Sequence, residues 1–146
     1  MRREGAIGKR MLFGALSELL NSELEAVSDY LYCCVLCEEE YPELSSFFEV
    51  AGQEHADNMK KLGGLMLSLG YQPFVNCRIN KGGAVSAKNE TRVCALIKAL
   101  FSSEKKYREA YGKLASLDEI GELDAIKEIL RVSDERLAML ERLTCS

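Results

Sequence analysis

The sequence predicts an all-α protein, folded as an antiparallel four-helix bundle. Three observations predict it. The 146 residues include two prolines and no tryptophan, and long stretches are rich in Leu, Ala, Glu and Lys, which favour helix over sheet. Apolar residues recur with helical period in four segments. They make up 47% of the chain, enough to bury a core in a single domain over 1–146.

The first helix is expected from about Lys9 to Glu39, with an apolar face of Leu16, Leu19, Leu20, Val27, Tyr30 and Cys34. Tyr41-Pro42 interrupts it, and proline suits the first position of the next helix. The second is expected from Pro42 to about Leu69. Phe48, His55, Leu62 and Leu69 recur at heptad spacing, as do Ala51, Asn58 and Leu65, which marks a stripe facing a partner. Gly70 suits a helix stop, and Pro73 follows it. Tyr71 to Val85 carries Pro73, Asn76, Gly82 and Gly83 without helical pattern and reads as a connection. At about 15 residues it is longer than antiparallel neighbours need, and it can travel back along a bundle.

The third helix is expected from about Ser86 to Leu117, with Val93, Leu96, Ile97, Leu100, Glu104, Tyr107, Tyr111 and Leu114 on its face. A short break follows around Asp118 to Gly121. The fourth is expected from about Glu122 to Leu143, with Ile126, Ile129, Ser133, Arg136, Leu140 and Leu143 inward. Two tight helix pairs joined by one long crossover between helices 2 and 3 suit these lengths. A plain up-down-up-down bundle is the alternative.

The formal net charge of -4 gives no reason to expect nucleic acid as a partner. No stretch approaches the roughly 20 apolar residues that span a bilayer. Met1-Arg2-Arg3-Glu4 has the charge of a signal peptide without its apolar region. A cytoplasmic protein is expected, with its six cysteines reduced. That many cysteines fit an oxygen-poor cell or a thiol site.

Every helix carries polar residues inside its apolar stripe. Helix 1 has Glu23, helix 2 has His55 and Asn58, helix 3 has Glu104, and helix 4 has Ser133 and Arg136. A buried charge must be paired or bound to metal. All six fall near mid-helix, so they can share one level. A weak internal repeat accompanies them. Glu23 is followed by Tyr30 at +7 and Glu104 by Tyr111 at +7. Each half then offers a helix with a polar pair at i and i+3.

On these residues the chain resembles the ferritin-like superfamily, closest to the small rubrerythrin-type bundles. The resemblance runs from about Leu16 to Leu143. It is carried by Glu23-Leu24-Glu25-Ala26-Val27 leading to Tyr30, Tyr41-Pro42-Glu43-Leu44 leading to Phe48, Glu104 leading to Tyr111, and Ile129-Leu130 leading to Leu140. The resemblance implies two iron or manganese ions, held by one Glu and one Glu-x-x-His from each half. Glu23 and Glu104 match the lone glutamates. The two Glu-x-x-His positions fall on His55/Asn58 and on Ser133/Arg136, so both motifs are broken. A one-residue shift in helix 2 would instead offer Glu54 and Asp57. Glu54 flanks the stripe, and Asp57 projects away from it.

Two hard metal ions need several carboxylates, and this layer offers two firm ones. It adds Arg136, which is always protonated and cannot ligate. The expectation is a metal-free polar core, with Arg136 between Glu23 and Glu104 and with His55, Asn58 and Ser133 completing the hydrogen bonds. If Arg136 instead reaches solvent, Glu23, Glu54, His55 and Glu104 could hold one iron, manganese or zinc ion. Tyr30 and Tyr111 read as core aromatics with hydroxyls near polar groups, or as redox relays beside a metal.

With the ferritin-like crossover, helices 1 and 3 run antiparallel and helices 1 and 4 parallel. Cys34 and Cys37 then lie beyond Glu23 in the same direction as Cys94 lies from Glu104 and Cys145 from Arg136, by ~14–21 Å. These four could form a thiolate metal or redox site at one end. Cys33 lies beside them, and Cys77, in the crossover, has no assigned place. The other reading is small core cysteines. The functional expectation is a non-enzymatic binding or assembly module that self-associates, as a dimer. Its rival is a rubrerythrin-like iron or manganese protein in peroxide reduction or iron handling.

Overall fold

The computed structural model describes residues 2–73, 92–117 and 124–145. Among them are four helices: α1 (Arg2–Cys37), α2 (Pro42–Ser68), α3 (Val93–Ala115) and α4 (Asp124–Cys145). The segments read from sequence as crossover and as the break before helix 4 lie for the most part outside the described residues, and so does Cys77.

The ends of α2 have local causes. Pro42 occupies its first turn, where no amide hydrogen is needed. At the other end Gly70 takes φ +82, a left-handed conformation that costs a residue with a Cβ. The turn is closed by Gly70 N donating to Leu67 O at 3.0 Å and Tyr71 N donating to Met66 O at 2.8 Å. This is the paired bonding that satisfies orphan carbonyls at a helix end. Tyr71 then packs on the core beside Met66, with its ring edge against Phe13 at 5.2 Å between centroids.

Side-chain pairings show the helix directions. Glu23 meets His55 while Cys34 meets Ser45, so α1 and α2 are antiparallel. Glu104 meets Arg136 while Arg108 meets Asp134, so α3 and α4 are antiparallel. Tyr111 bonds Glu23 and Tyr30 bonds Glu104, so α1 and α3 are antiparallel too. Accordingly α2 ends and α3 begins at opposite ends of the bundle.

The core comes in two apolar clusters. One gathers Leu16, Leu20, Leu62, Met66, Tyr111, Ile126 and Ile129. The other gathers Tyr30, Cys33, Phe48, Leu96, Leu100 and Leu140. Each fully buried large side chain contributes roughly 1.5–3 kcal/mol by leaving water. Between the clusters lies a polar layer of Glu23, His55, Asn58, Glu104, Ser133 and Arg136, all at most 3% exposed.

Candidate functional site

All four helices contribute to the polar layer, each from the stripe that also supplies its apolar core residues. His55 stands at its centre. Its Nδ1 lies 2.8 Å from Glu23 Oε2 and its Nε2 lies 2.7 Å from Glu104 Oε1. Where both carboxylates are ionised they can only accept hydrogen bonds, so both ring nitrogens then donate and the ring is an imidazolium. Tyr30 stacks on one side of the imidazole at 5.4 Å, and Tyr107 approaches edge-on at 4.8 Å.

Arg136 is 3% exposed and does not reach solvent. Its Nε donates to Glu104 Oε1 at 2.7 Å, and its Nη1 donates to half-buried Glu54 at 3.2 Å. The expected arrangement, with Arg136 between Glu23 and Glu104, is therefore corrected: His55 is the bridge, and Arg136 joins Glu104 to Glu54. The reason is reach. His55 comes from α2, which packs closely against α1, whereas the α4 guanidinium approaches Glu104 from its α3 neighbour. Ser133, expected to complete the hydrogen bonds, has no partner for its Oγ among the described residues. Asp57 is outside the layer, with its carboxylate facing Gln53 one turn away on the same helix.

Tyrosines and one amide complete the network. Tyr30 donates to Glu104 Oε1 at 2.8 Å, and Tyr111 donates to Glu23 Oε1 at 2.9 Å. Asn58 Nδ2 donates to the Tyr107 hydroxyl at 2.8 Å and, more weakly, to Glu23 at 3.4 Å. From the sequence Tyr107 reads only as an apolar-face residue. Its position one turn after Glu104 is the signal that it can serve the polar layer.

The electrostatics follow from burial against pairing. Burial alone would push the His55 pKa down. Hydrogen bonds to Glu104 and Glu23 and the Glu104 charge outweigh it and hold the ring above its ordinary 6.5. Burial pushes Glu104 up, but His55, Arg136 and the Tyr30 hydroxyl hold it below 4.5. Burial wins at Glu23, which stays above 4.5 in spite of His55 and Tyr111. Burial, and then the adjacent carboxylates, keep Tyr30 and Tyr111 protonated. Two carboxylates against one imidazolium and one guanidinium sum to zero, which is what a dry layer tolerates.

The donor set does not fit a pair of metal ions. Both His55 nitrogens are engaged by carboxylates, Asn58 presents an amide nitrogen to its neighbours, and a guanidinium sits on Glu104 where a ligand would stand. Among the described residues no three His, Cys, Asp or Glu side chains are grouped to hold an ion.

The thiols separate by burial. Cys33 and Cys37 are buried, Cys34 is half-buried, and Cys94 is exposed. Cys33, rather than Cys34, is thus the buried companion of Cys37. Burial pushes the Cys33 thiol up to about 12 and raises Cys37. Both are held as neutral core groups, unlike a reactive thiolate. Cys34 lies beside Ser45, whose Oγ donates to the Cys34 carbonyl at 2.8 Å and pins the α1–α2 corner. Val93 and Leu143 pack on the cluster that holds Cys33 and Cys37, so α3 begins and α4 ends at this end of the bundle. The Cys145 side chain lies outside the described residues.

No helix among the described residues is long and apolar enough to cross a membrane. No curated protein matches the chain closely enough to lend it a function. A family model for the ferritin-like domain matches residues 13–144. That span contains all four stripes and the whole polar layer, and the chain belongs to the ferritin-like family.

Proposed function

We propose that this chain is a ferritin-like scaffold whose metal centre has been replaced by a neutral charge network, and that it works as a non-enzymatic binding or assembly module. One observation carries the reading: the buried Arg136 guanidinium lies 2.7 Å from Glu104, the carboxylate that would otherwise face a metal. A cation and a guanidinium compete for the same charge. The four charges already balance without an ion, so a divalent cation would have to expel the His55 proton or displace Arg136.

Its rival is a rubrerythrin-like iron or manganese protein, in peroxide reduction or iron handling, with Glu23, Glu54, His55 and Glu104 around one ion. It has in its favour that Arg136 draws Glu54 toward this layer. Self-association belongs to the leading reading. Leu24, Leu31 and Val35 form an exposed apolar row along α1, a self-complementary surface when two copies meet about a two-fold axis.

The test is metal content after growth with added iron and manganese, for the native chain and for a variant carrying Ser133→Glu and Arg136→His. No bound metal in the native chain with uptake by the variant is the expected result. Near-stoichiometric metal in the native chain would transfer the lead to the metalloprotein reading.

A further inference from the structure

The outer side of the α1–α2 pair is symmetric in a way that the polar layer does not require. Leu31 and Val35 follow Leu24 at +7 and +11, so the three stand on one line of α1, and Leu31 and Val35 are 62% and 61% exposed. Phe13, 37% exposed, lies on the same line 11 residues before Leu24, as Val35 lies 11 after it. The apolar row is therefore balanced about Leu24.

The charges of this side are balanced about the same level, with opposite sign. Exposed Arg10 lies 14 residues before Leu24, and exposed Glu38, followed by Glu39 and Glu40, lies 14 after it. On α2 Gly52 turns to α1, where a Cβ would meet the Tyr30 Cβ at 3.4 Å. Exposed Glu49 and Lys60, 11 apart on one line of α2, stand on the outer side of Gly52. They are centred on Glu54 and His55, and because His55 meets Glu23, that centre is level with Leu24. The two helices are antiparallel. Arg10 and Lys60 therefore lie toward one end of the face, and Glu38 and Glu49 toward the other.

We infer that this face binds a second copy of the chain about a two-fold axis at the level of Leu24, with the two α1 helices antiparallel. That pairing sets Leu24 against its own counterpart and Phe13 against the partner's Val35. It brings Arg10 to the partner's Glu38 and Lys60 to the partner's Glu49, and the two-fold makes each of these contacts twice. A parallel pair would instead set Arg10 against Arg10 and Glu38 against Glu38, so the charges select the orientation. The size is sufficient. From Arg10 to Glu38 the row is about 42 Å long at 1.5 Å per residue. With α2 beside it the face is roughly 20 Å wide and offers roughly 800 Å² per copy, the size of a standard stable interface.

The inference rests on the assembly role proposed above and gives that role its partner and register. The experiment is sedimentation equilibrium of the full chain, with circular dichroism to show that each variant keeps its helices. A dimer is expected. Leu31→Glu should weaken it at least about tenfold, by burying a charge in the apolar row. Met139→Glu, the same change of charge at a 40% exposed position on α4, should leave it unchanged. Lys60→Glu and Glu49→Lys should each weaken it about tenfold, because each puts two like-charge pairs into the dimer. The double variant restores both pairs and should return to within about threefold of the native chain. A dimer indifferent to Leu31→Glu, or one that the double variant fails to restore, would overturn this face and leave self-association standing. A native chain still monomeric at about 100 μM would overturn the assembly role together with the face.

Discussion

Arg136 and Glu54 meet in one ion pair, yet their loss should differ greatly. Replacing Arg136 with Met leaves Glu104 buried with less compensation, and breaking a buried pair in this way costs about 3–5 kcal/mol. Replacing Glu54 with Gln touches a half-exposed partner and should cost under about 1 kcal/mol. Urea unfolding of the two variants measures both; equal losses would mean that Arg136 does not hold Glu104. His55 adds a dependence on pH. Its folded pKa lies above 6.5, so its contribution is complete below that value and is lost as pH rises through the folded one. Glu23, also raised, acts in the same sense. Glu104 is held below 4.5, so its contribution is present above that value and lost as pH falls through the lower folded one. His55 and Glu104 together favour the range between about 4.5 and 6.5, and Glu23 tilts stability toward the acid end of it, so stability should decline as pH rises, and His55→Gln should flatten the decline above 6.5. A stability that climbs steadily into the alkaline range would contradict these shifts. At this scale the sequence shows which polar residues share the layer but not which bonds which. Heptad spacing gives a residue's face, while His55 bridges two carboxylates because its ring presents nitrogens on opposite edges. Asp29 is not legible at all: it is 4% exposed, yet beside Tyr30 and off the apolar stripe it looks like a solvated residue.

At the scale of the helix, α2 offers a paired test of backbone conformation. Gly70 has φ +82 with nothing within 4 Å of where a methyl group would stand, so Gly70→Ala should cost about 1 kcal/mol through conformation alone. Gly64 lies inside the helix and is equally open, so Gly64→Ala should stabilise by about 0.5–1 kcal/mol. Thermal melts of the two should shift in opposite directions; a shared direction would rule out the left-handed cap. The stripes themselves are legible. On α2 Phe48, Ala51, His55, Asn58 and Leu62 are buried. Leu69, next in the heptad, is 39% exposed because it is already the helix cap. On α1 the period misplaces two side chains: Val27 and Cys34 are only half-buried, and Cys33 is buried instead of Cys34. A residue at the edge of a stripe turns inward or outward with small rotations of the helix, which spacing alone does not specify.

For the whole molecule, the two apolar clusters and the layer between them make cysteine exposure a measure of integrity. Under native conditions Cys94 should react with a thiol reagent well before Cys33 and Cys37, which should wait for unfolding, since burial keeps both protonated. Rapid modification of all of them in folded protein would mean that this end of the bundle opens. Helix number can be read from composition and period, but the direction of α3 relative to α1 cannot, since a crossover bundle and an up-down-up-down bundle carry the same stripes. Nor can the neutrality of the polar layer, which depends on the proton that His55 keeps. That proton is the centre of the proposal, and His55 is the single histidine of the chain, so its signal is unambiguous. The most direct measurement is the nitrogen-15 NMR of its ring at pH 6.5, where an ordinary imidazole is half protonated and a raised one is mostly protonated, in protein from cells grown with added iron and manganese. Two protonated nitrogens are expected, as in an imidazolium between two carboxylates. A ring with one metal-bound nitrogen, or a neutral tautomer, would contradict a charge network in place of a metal centre.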